Sequence, residues 1–297
     1  MAVSIELCGV PLDGPVLNAS GTFDAIAAWR AFGDELIEAF PFHAYVSKTV
    51  TLAPRAGNPP PRLWETPSGL LNSIGLPNKG REGFLAEDLP VLAELPVPLV
   101  VSVMGFDRGE LAELAAAIGE RPEVALLELN FSCPNVETGL EMGADPAEAA
   151  RAVAAVRPLT PTPLIAKLSP AASDPAAVSA AAADAGADAV SLINTLRGAA
   201  LDPRTRRPWL GGGTGGVSGP AIRAVALNQV ARVAERVDLP VIGMGGIASG
   251  AHAADFLAAG ATAVAVGTES FRDPRAGARV GRELADLLER GVEPSLA

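Results

Sequence analysis

The segment Asn130-Phe131-Ser132-Cys133-Pro134-Asn135 places one thiol among polar side chains, directly after an apolar run, Val124 to Leu129, that reads as a buried strand. A thiol has a reference pKa of about 8.5, so it accepts a proton near neutral pH with modest help. Nearby lysines give that help by favouring the thiolate. Cys133 is therefore a candidate catalytic base. Two other fates compete: a lone cysteine is more often a small buried core residue, and a thiol can be a nucleophile, although no histidine lies near this one in sequence.

Polar residues recur where other apolar runs end: Asn18 and Ser20, Ser47 and Lys48, Ser102, Glu128 and Asn130, Lys167 and Ser169, Asn194 and Thr195. Any single Asn or Ser there can be a turn former. Two lysines are harder to dismiss, because a buried Lys needs a partner or a ligand. Asn72-Ser-Ile-Gly-Leu76 adds another amide, able to donate and accept. Asn72, Asn130, Asn135 and Asn194, with a lysine, suit a small planar molecule carrying amides and a carboxylate. Gly243-Met-Gly-Gly246 and Val266-Gly267-Thr268 follow the last two apolar runs, and bare N–H groups in such turns bind phosphate. His43 precedes an apolar run and reads as structural; His252, near a helix start, reads as solvated.

These positions need a frame that brings them together. Eight short runs read as strands: Val16–Ser20, Ala44–Lys48, Leu99–Val103, Val124–Asn130, Leu164–Leu168, Ala189–Asn194, Val241–Gly245 and Ala263–Gly267. Most are near-continuous apolar stretches, as parallel strands buried on both faces require. Helical segments lie between them, several opened by Asp-Pro pairs (Asp145-Pro146, Asp174-Pro175, Asp273-Pro274) that suit an N-cap and first helical position. The stretch Ala185 to Thr195 is echoed by Ala259 to Thr268. The expected fold is α/β, a closed (β/α)8 TIM barrel forming one domain over residues 1–297, with long active-site connections after strands 2, 4 and 6. No GxGxxG opens a first βα turn, which disfavours an open doubly wound sheet.

Composition narrows the function. A net charge of −11 without a basic stripe excludes a nucleic-acid partner. The start, MAVSIELCGV, has neither the basic nor the apolar part of a signal peptide, and no apolar run reaches membrane-spanning length. A cytoplasmic protein without a membrane partner is the expectation. Two distant cysteines and two histidines argue against an iron–sulfur cluster or metal site held by this chain alone.

In this order and spacing the motifs resemble class 1 dihydroorotate dehydrogenases, and within them the catalytic FMN subunit of the B type. The resemblance runs nearly end to end, through Asn18-Ala-Ser-Gly-Thr-Phe23, Ser47-Lys-Thr49, Asn72-Ser-Ile-Gly-Leu-Pro-Asn78, Asn130-Phe-Ser-Cys-Pro-Asn-Val136, Lys167-Leu-Ser-Pro170, Ile193-Asn-Thr195, Gly215-Gly-Val-Ser-Gly-Pro-Ala-Ile222, Gly243-Met-Gly-Gly-Ile247 and Val266-Gly-Thr268. It implies oxidation of (S)-dihydroorotate to orotate in pyrimidine biosynthesis. Cys133 would take the C5 proton while hydride leaves C6 for flavin N5. Lys48, also counted as catalytic, would bind substrate together with Asn72, Ser73, Ile74, Gly75, Leu76, Asn130, Asn135, Asn194 and Thr195. FMN would meet Ser20, Ser47, Lys48, Ser102, Asn130, Lys167, Ile193 and Gly219, with its phosphate on Gly245, Gly246, Gly267 and Thr268.

A membrane-associating segment and a Ser base, features of class 2 enzymes, are absent from this sequence. Ser102 stands where the family often has Asn near the flavin. The B type implies a homodimer that passes electrons to NAD through a partner subunit carrying FAD and a [2Fe–2S] cluster. The alternatives are a fumarate-using A-type enzyme, another FMN barrel acting on reduced pyrimidines, and a flavin-free, non-catalytic barrel subunit.

Overall fold

Eight short strands form one parallel sheet: β1 (Val16–Asn18), β2 (Tyr45–Val46), β3 (Leu99–Val103), β4 (Leu126–Asn130), β5 (Leu164–Lys167), β6 (Ala189–Leu192), β7 (Val241–Met244) and β8 (Ala263–Val266). The computed structural model describes residues 4–131 and 142–291. Within it β2 through β8 pair in sequence order, and β8 pairs with β1. The ring closes between β1 and β2. There the backbone contributes a single Leu17–Ala44 bridge, and Asn18 does the rest. Its amide accepts from Val46 N at 2.8 Å and donates to Val46 O at 2.8 Å, standing in for a ladder that a two-residue strand cannot supply. This is the (β/α)8 barrel expected from the sequence, each strand lying inside the run that announced it.

The helices around the barrel are α1 (Ala25–Phe32), α2 (Arg108–Gly119), α3 (Pro146–Val156), α4 (Pro175–Asp184), α5 (Arg223–Ala234), α6 (Gly250–Ala258) and α7 (Ala276–Glu289). Side chains of Asp107, Asp145, Asp174 and Ser249 accept the N–H three residues on, at the starts of α2, α3, α4 and α6. Each substitutes for a carbonyl that a first turn lacks. Asp273-Pro274 differs from its expected role: α7 begins at Ala276, and Asp273 accepts from Arg275 N at 2.9 Å in the preceding turn.

Two further pieces close the barrel's ends. A hairpin, Ile5–Leu7 with Val10–Leu12, turns on Cys8 (φ 52°) and Gly9 (φ 83°). Paired positive φ values match the strand twist in a two-residue turn. The hairpin pushes Leu7 and Leu12 into the apolar cluster inside the barrel, with Leu17, Val100, Leu126 and Ile165. At the opposite, C-terminal end lies a four-stranded antiparallel sheet that the sequence did not announce. Leu63–Thr66 and Gly69–Asn72 come from the connection after β2; Leu196–Gly198 and Gly215–Ser218 come from the connection after β6. The two connections are stitched together where Asn72 pairs with Gly216 and Leu71 with Val217.

Candidate active site

Side-chain alternation along the strands creates the site. Val100, Leu126, Ile165, Ala189 and Ile242 point inward and pack together in the lower barrel. Two residues further along, the same inward direction belongs to Ser102, Glu128, Lys167 and Ser191, all buried. Successive side chains on a strand face opposite ways, so an apolar floor and a polar layer two residues above it follow from the pleat. The Lys167 ammonium meets Glu128 Oε1 at 3.2 Å. Glu128 also accepts from the hydroxyls of Ser102 (3.0 Å) and Ser191 (3.2 Å). Ser102 Oγ lies 3.0 Å from Thr49 Oγ1, which accepts from Asn130 Nδ2 at 3.2 Å.

Above this layer is a cavity of about 420 Å3, within the size range of cofactor and small-ligand sites. Asn130 and Lys167 line it from the ends of β4 and β5, and Lys48, Asn72, Ile74, Gly75 and Leu76 from the β2 connection. Ser20, Ile193, Asn194 and Thr195 complete its wall. Lys48 is folded over Gly21: a Cβ at Gly21 would lie 2.8 Å from the Lys48 ammonium nitrogen, and Gly21 has φ 72°. Burial holds the Lys48 pKa below the ordinary lysine range, and the nearby Lys167 charge lowers it further. Two cations and one carboxylate in a partly dehydrated space favour an anionic ligand.

One side of the same cavity is made of Gly219, Gly245, Gly246, Gly267 and Thr268. Gly246 has φ 73°, and a Cβ there would sit 2.8 Å from both Gly219 O and Arg223 Cβ. The two turns after β7 and β8 thus approach the cavity as bare backbone. Thr268 Oγ1 donates to Ser218 Oγ at 2.8 Å, tying the last turn to the antiparallel sheet. Bare turns of this kind can take a phosphate, and the lysine- and amide-lined space beside them can take a flat heteroaromatic group.

Three of the expected residues lie elsewhere. Ser47 is buried on the wall of a neighbouring cavity of about 540 Å3, donating to Lys48 O and accepting from Ser102 N, both at 3.1 Å. Ser102 lies beneath the site, fully buried. Ser73 faces a third cavity, of about 390 Å3, which shares Asn72, Ile74, Gly75, Asn194 and Thr195 with the first. Cys133 and Asn135 fall outside the described residues. The sequence reading had not assigned roles to Gly21, Thr49, Glu128 or Ser191. Glu128 was the most legible of these, as a charge inside the run Leu126-Leu-Glu-Leu-Asn130. His252 is half-buried rather than solvated: its Nδ1 accepts from Ala248 N at 3.2 Å, beside the Gly246 turn. His43 is structural, accepting from Val16 N at 3.1 Å.

The family model for dihydroorotate dehydrogenase matches residues 2–288. A protein of Pelobacter propionicus, named dihydroorotate dehydrogenase B (NAD(+)), catalytic subunit, is 48% identical over 98% of this chain and 93% of its own length. Proteins of the same name from Desulforudis audaxviator and Geotalea daltonii are 47% and 46% identical, over 97% of this chain in both cases and 94% and 93% of their own lengths.

Proposed function

Because the chain belongs to the dihydroorotate dehydrogenase family, it is an FMN-dependent oxidoreductase converting dihydroorotate to orotate in pyrimidine biosynthesis, and we propose the following division of labour among its residues. Gly245, Gly246, Gly267 and Thr268 hold the cofactor phosphate. Ser20, Lys48, Asn130, Lys167, Ile193 and Gly219 border its ring system, while Ser47 and Ser102 support that wall from behind. Bound FMN supplies the acceptor for the hydride that leaves C6 of the substrate. Cys133 takes the C5 proton. Lys48, Asn72, Asn130, Asn135, Asn194 and Thr195 hold the pyrimidine ring and its carboxylate, with the 73–76 segment covering them.

One observation carries this reading: the lysines, the described amides and the glycine turns line a single cavity of about 420 Å3. The Lys48 ammonium supports the carboxylate assignment, since a buried cation gains from an anionic partner. The sheet built from the long connections stands beside the polar lining of this cavity, through Asn72 and Ser218.

The relatives named as NAD(+)-type catalytic subunits support a further step. The chain works as a homodimer with an electron-transfer subunit that carries FAD and a [2Fe–2S] cluster and delivers electrons to NAD. A cytoplasmic setting goes with that reading; among the described residues no helix is long and apolar enough to cross a membrane.

Anaerobic mixing tests both parts. Dihydroorotate should bleach the flavin band of the FMN-loaded protein. No bleaching with FMN in place would point to a different reduced pyrimidine. Reoxidation should require the iron–sulfur/FAD subunit together with NAD. Direct reoxidation by fumarate would overturn the NAD assignment.

A further inference from the structure

The polar layer beneath the cavity holds one carboxylate, Glu128, buried to 2% exposure against a lysine buried to 4%. Neither the substrate nor the phosphate cradle requires an acid there, and leaving a charge in a barrel interior is costly unless it is fully partnered. Glu128 is partnered on both oxygens: Lys167 and Ser102 on Oε1, Ser191 on Oε2. It does not line the cavity; Lys167 and Asn130 do.

The hydrogen-bond directions carry the argument further. The Ser102 hydroxyl donates its one proton to Glu128 Oε1. Ser102 Oγ then has only lone pairs left for Thr49, and so has Ser20 Oγ, which donates to Ser47 O at 2.8 Å and lies 3.1 Å from Thr49 Oγ1. The single Thr49 hydroxyl proton serves these two acceptors, and Thr49 Oγ1 accepts from Asn130 Nδ2. One carboxylate thereby reaches two residues of the cavity by two routes. It offsets the Lys167 charge directly. It also connects, through the hydroxyls of Ser102 and Thr49, to the contact in which Asn130 Nδ2 faces Thr49.

We propose that Glu128 is a positioning residue of the reaction, setting the net charge presented by Lys167 and, through Ser102 and Thr49, the orientation of the Asn130 amide. The inference rests on the placing of FMN beside Lys167 described above. Ser102 acquires a defined role: its hydroxyl is the short link that joins Glu128 to Thr49.

The test is the midpoint potential of bound FMN in the wild-type protein, Glu128→Gln, Lys167→Met and the double variant. Removing the carboxylate leaves the lysine unopposed and favours the anionic reduced cofactor. Glu128→Gln should strengthen binding of reduced over oxidised FMN by about tenfold, a rise of about 30 mV for a two-electron couple. Lys167→Met should shift the potential downward. If it changes neither potential nor FMN affinity, the placing of the cofactor at Lys167 is wrong. If Lys167→Met shifts the potential and Glu128→Gln does not, the inference about Glu128 alone fails. Removing both partners of a buried pair disrupts folding less than removing one, so the double variant keeps the test open if Glu128→Gln does not fold. Its potential should lie above that of Lys167→Met; equality would overturn the proposal. Ser102→Ala tests the relay, with a several-fold rise in KM for dihydroorotate expected and a smaller shift in potential than Glu128→Gln gives. An unchanged KM would remove the relay.

Discussion

The two ends of the barrel are made by the same eight strands and have opposite chemistry. At the N-terminal end, Leu7 and Leu12 of the hairpin seal an interior of Leu, Ile, Val and Ala. At the C-terminal end, inward positions two residues along the same strands are Ser102, Glu128, Lys167 and Ser191. The sequence has two cysteines. Cys8 sits in the sealing hairpin and donates to Asp188 O at 3.4 Å; burial, then the Asp188 charge, push its pKa up to about 12. Such a thiol is inert near neutral pH, because the thiolate is the reactive form. Cys133 belongs to the motif that leaves β4. The difference teaches that position on the barrel, rather than residue type, separates stability from chemistry: the closed end supplies burial, and the open end holds charges that burial alone would not tolerate.

The contrast can be broken most severely at the cysteines. Cys133→Ala should slow flavin reduction by dihydroorotate by roughly 10²–10⁴-fold, the usual size of an acid–base contribution, with FMN still bound. Cys8→Ala should leave that rate within about twofold, as expected of a thiol with no part in proton transfer. Equal effects in stopped-flow traces would erase the distinction between the ends.

Next in size is the plug. Leu7 is fully buried, so Leu7→Ala should cost about 2–5 kcal/mol of stability by loss of burial and cavity formation. Thermal unfolding measures this, and KM for dihydroorotate in the folded protein should not move. A change in KM with little loss of stability would mean that the two ends are coupled.

A smaller effect is expected at the phosphate cradle. Gly246→Ala places a Cβ 2.8 Å from Gly219 O at φ 73°. A left-handed non-Gly residue costs about 1–2 kcal/mol, so FMN affinity should fall about tenfold. Riboflavin, which lacks the phosphate, should bind as before; a parallel loss would place the damage in the ring pocket instead.

The finest test is a pH dependence. The Lys48 pKa is lowered from 10.5 by burial first and by Lys167 second. Between that lowered value and 10.5 the unfolded chain binds more protons than the folded one, so stability rises with pH through this interval. The Lys48 contribution is complete above the unfolded value and is lost as pH falls through the folded one. Lys48→Met should therefore raise the melting temperature of the FMN-free protein at neutral pH and flatten its rise toward pH 10. An identical slope in both proteins would mean that Lys48 is not held under strain by the site.

All eight barrel strands were legible as short apolar runs, and the N-caps Asp145 and Asp174 as local punctuation, because both signals lie within a few adjacent residues. The lysines and glycine turns were legible for the same reason: a charged or bare residue at the end of an apolar strand has few uses. Their convergence was not. Asn72 and Gly216 are far apart in the chain and carry no pattern that declares them partners, yet their pairing builds the sheet over the mouth. Glu128 looked like one more strand-end polar group until the register set it across from Ser102 and within reach of Lys167 and Ser191. The amino-acid sequence by itself determined the elements, their order and the residue types available at each strand end, since hydrophobic period, capping and turn chemistry act over a few residues. Tertiary structure alone decided which of those residues share a cavity and which lie beneath it. That depends on barrel closure and strand register, which bring together side chains from distant parts of the chain, and a one-residue slip would turn each of them to the other face.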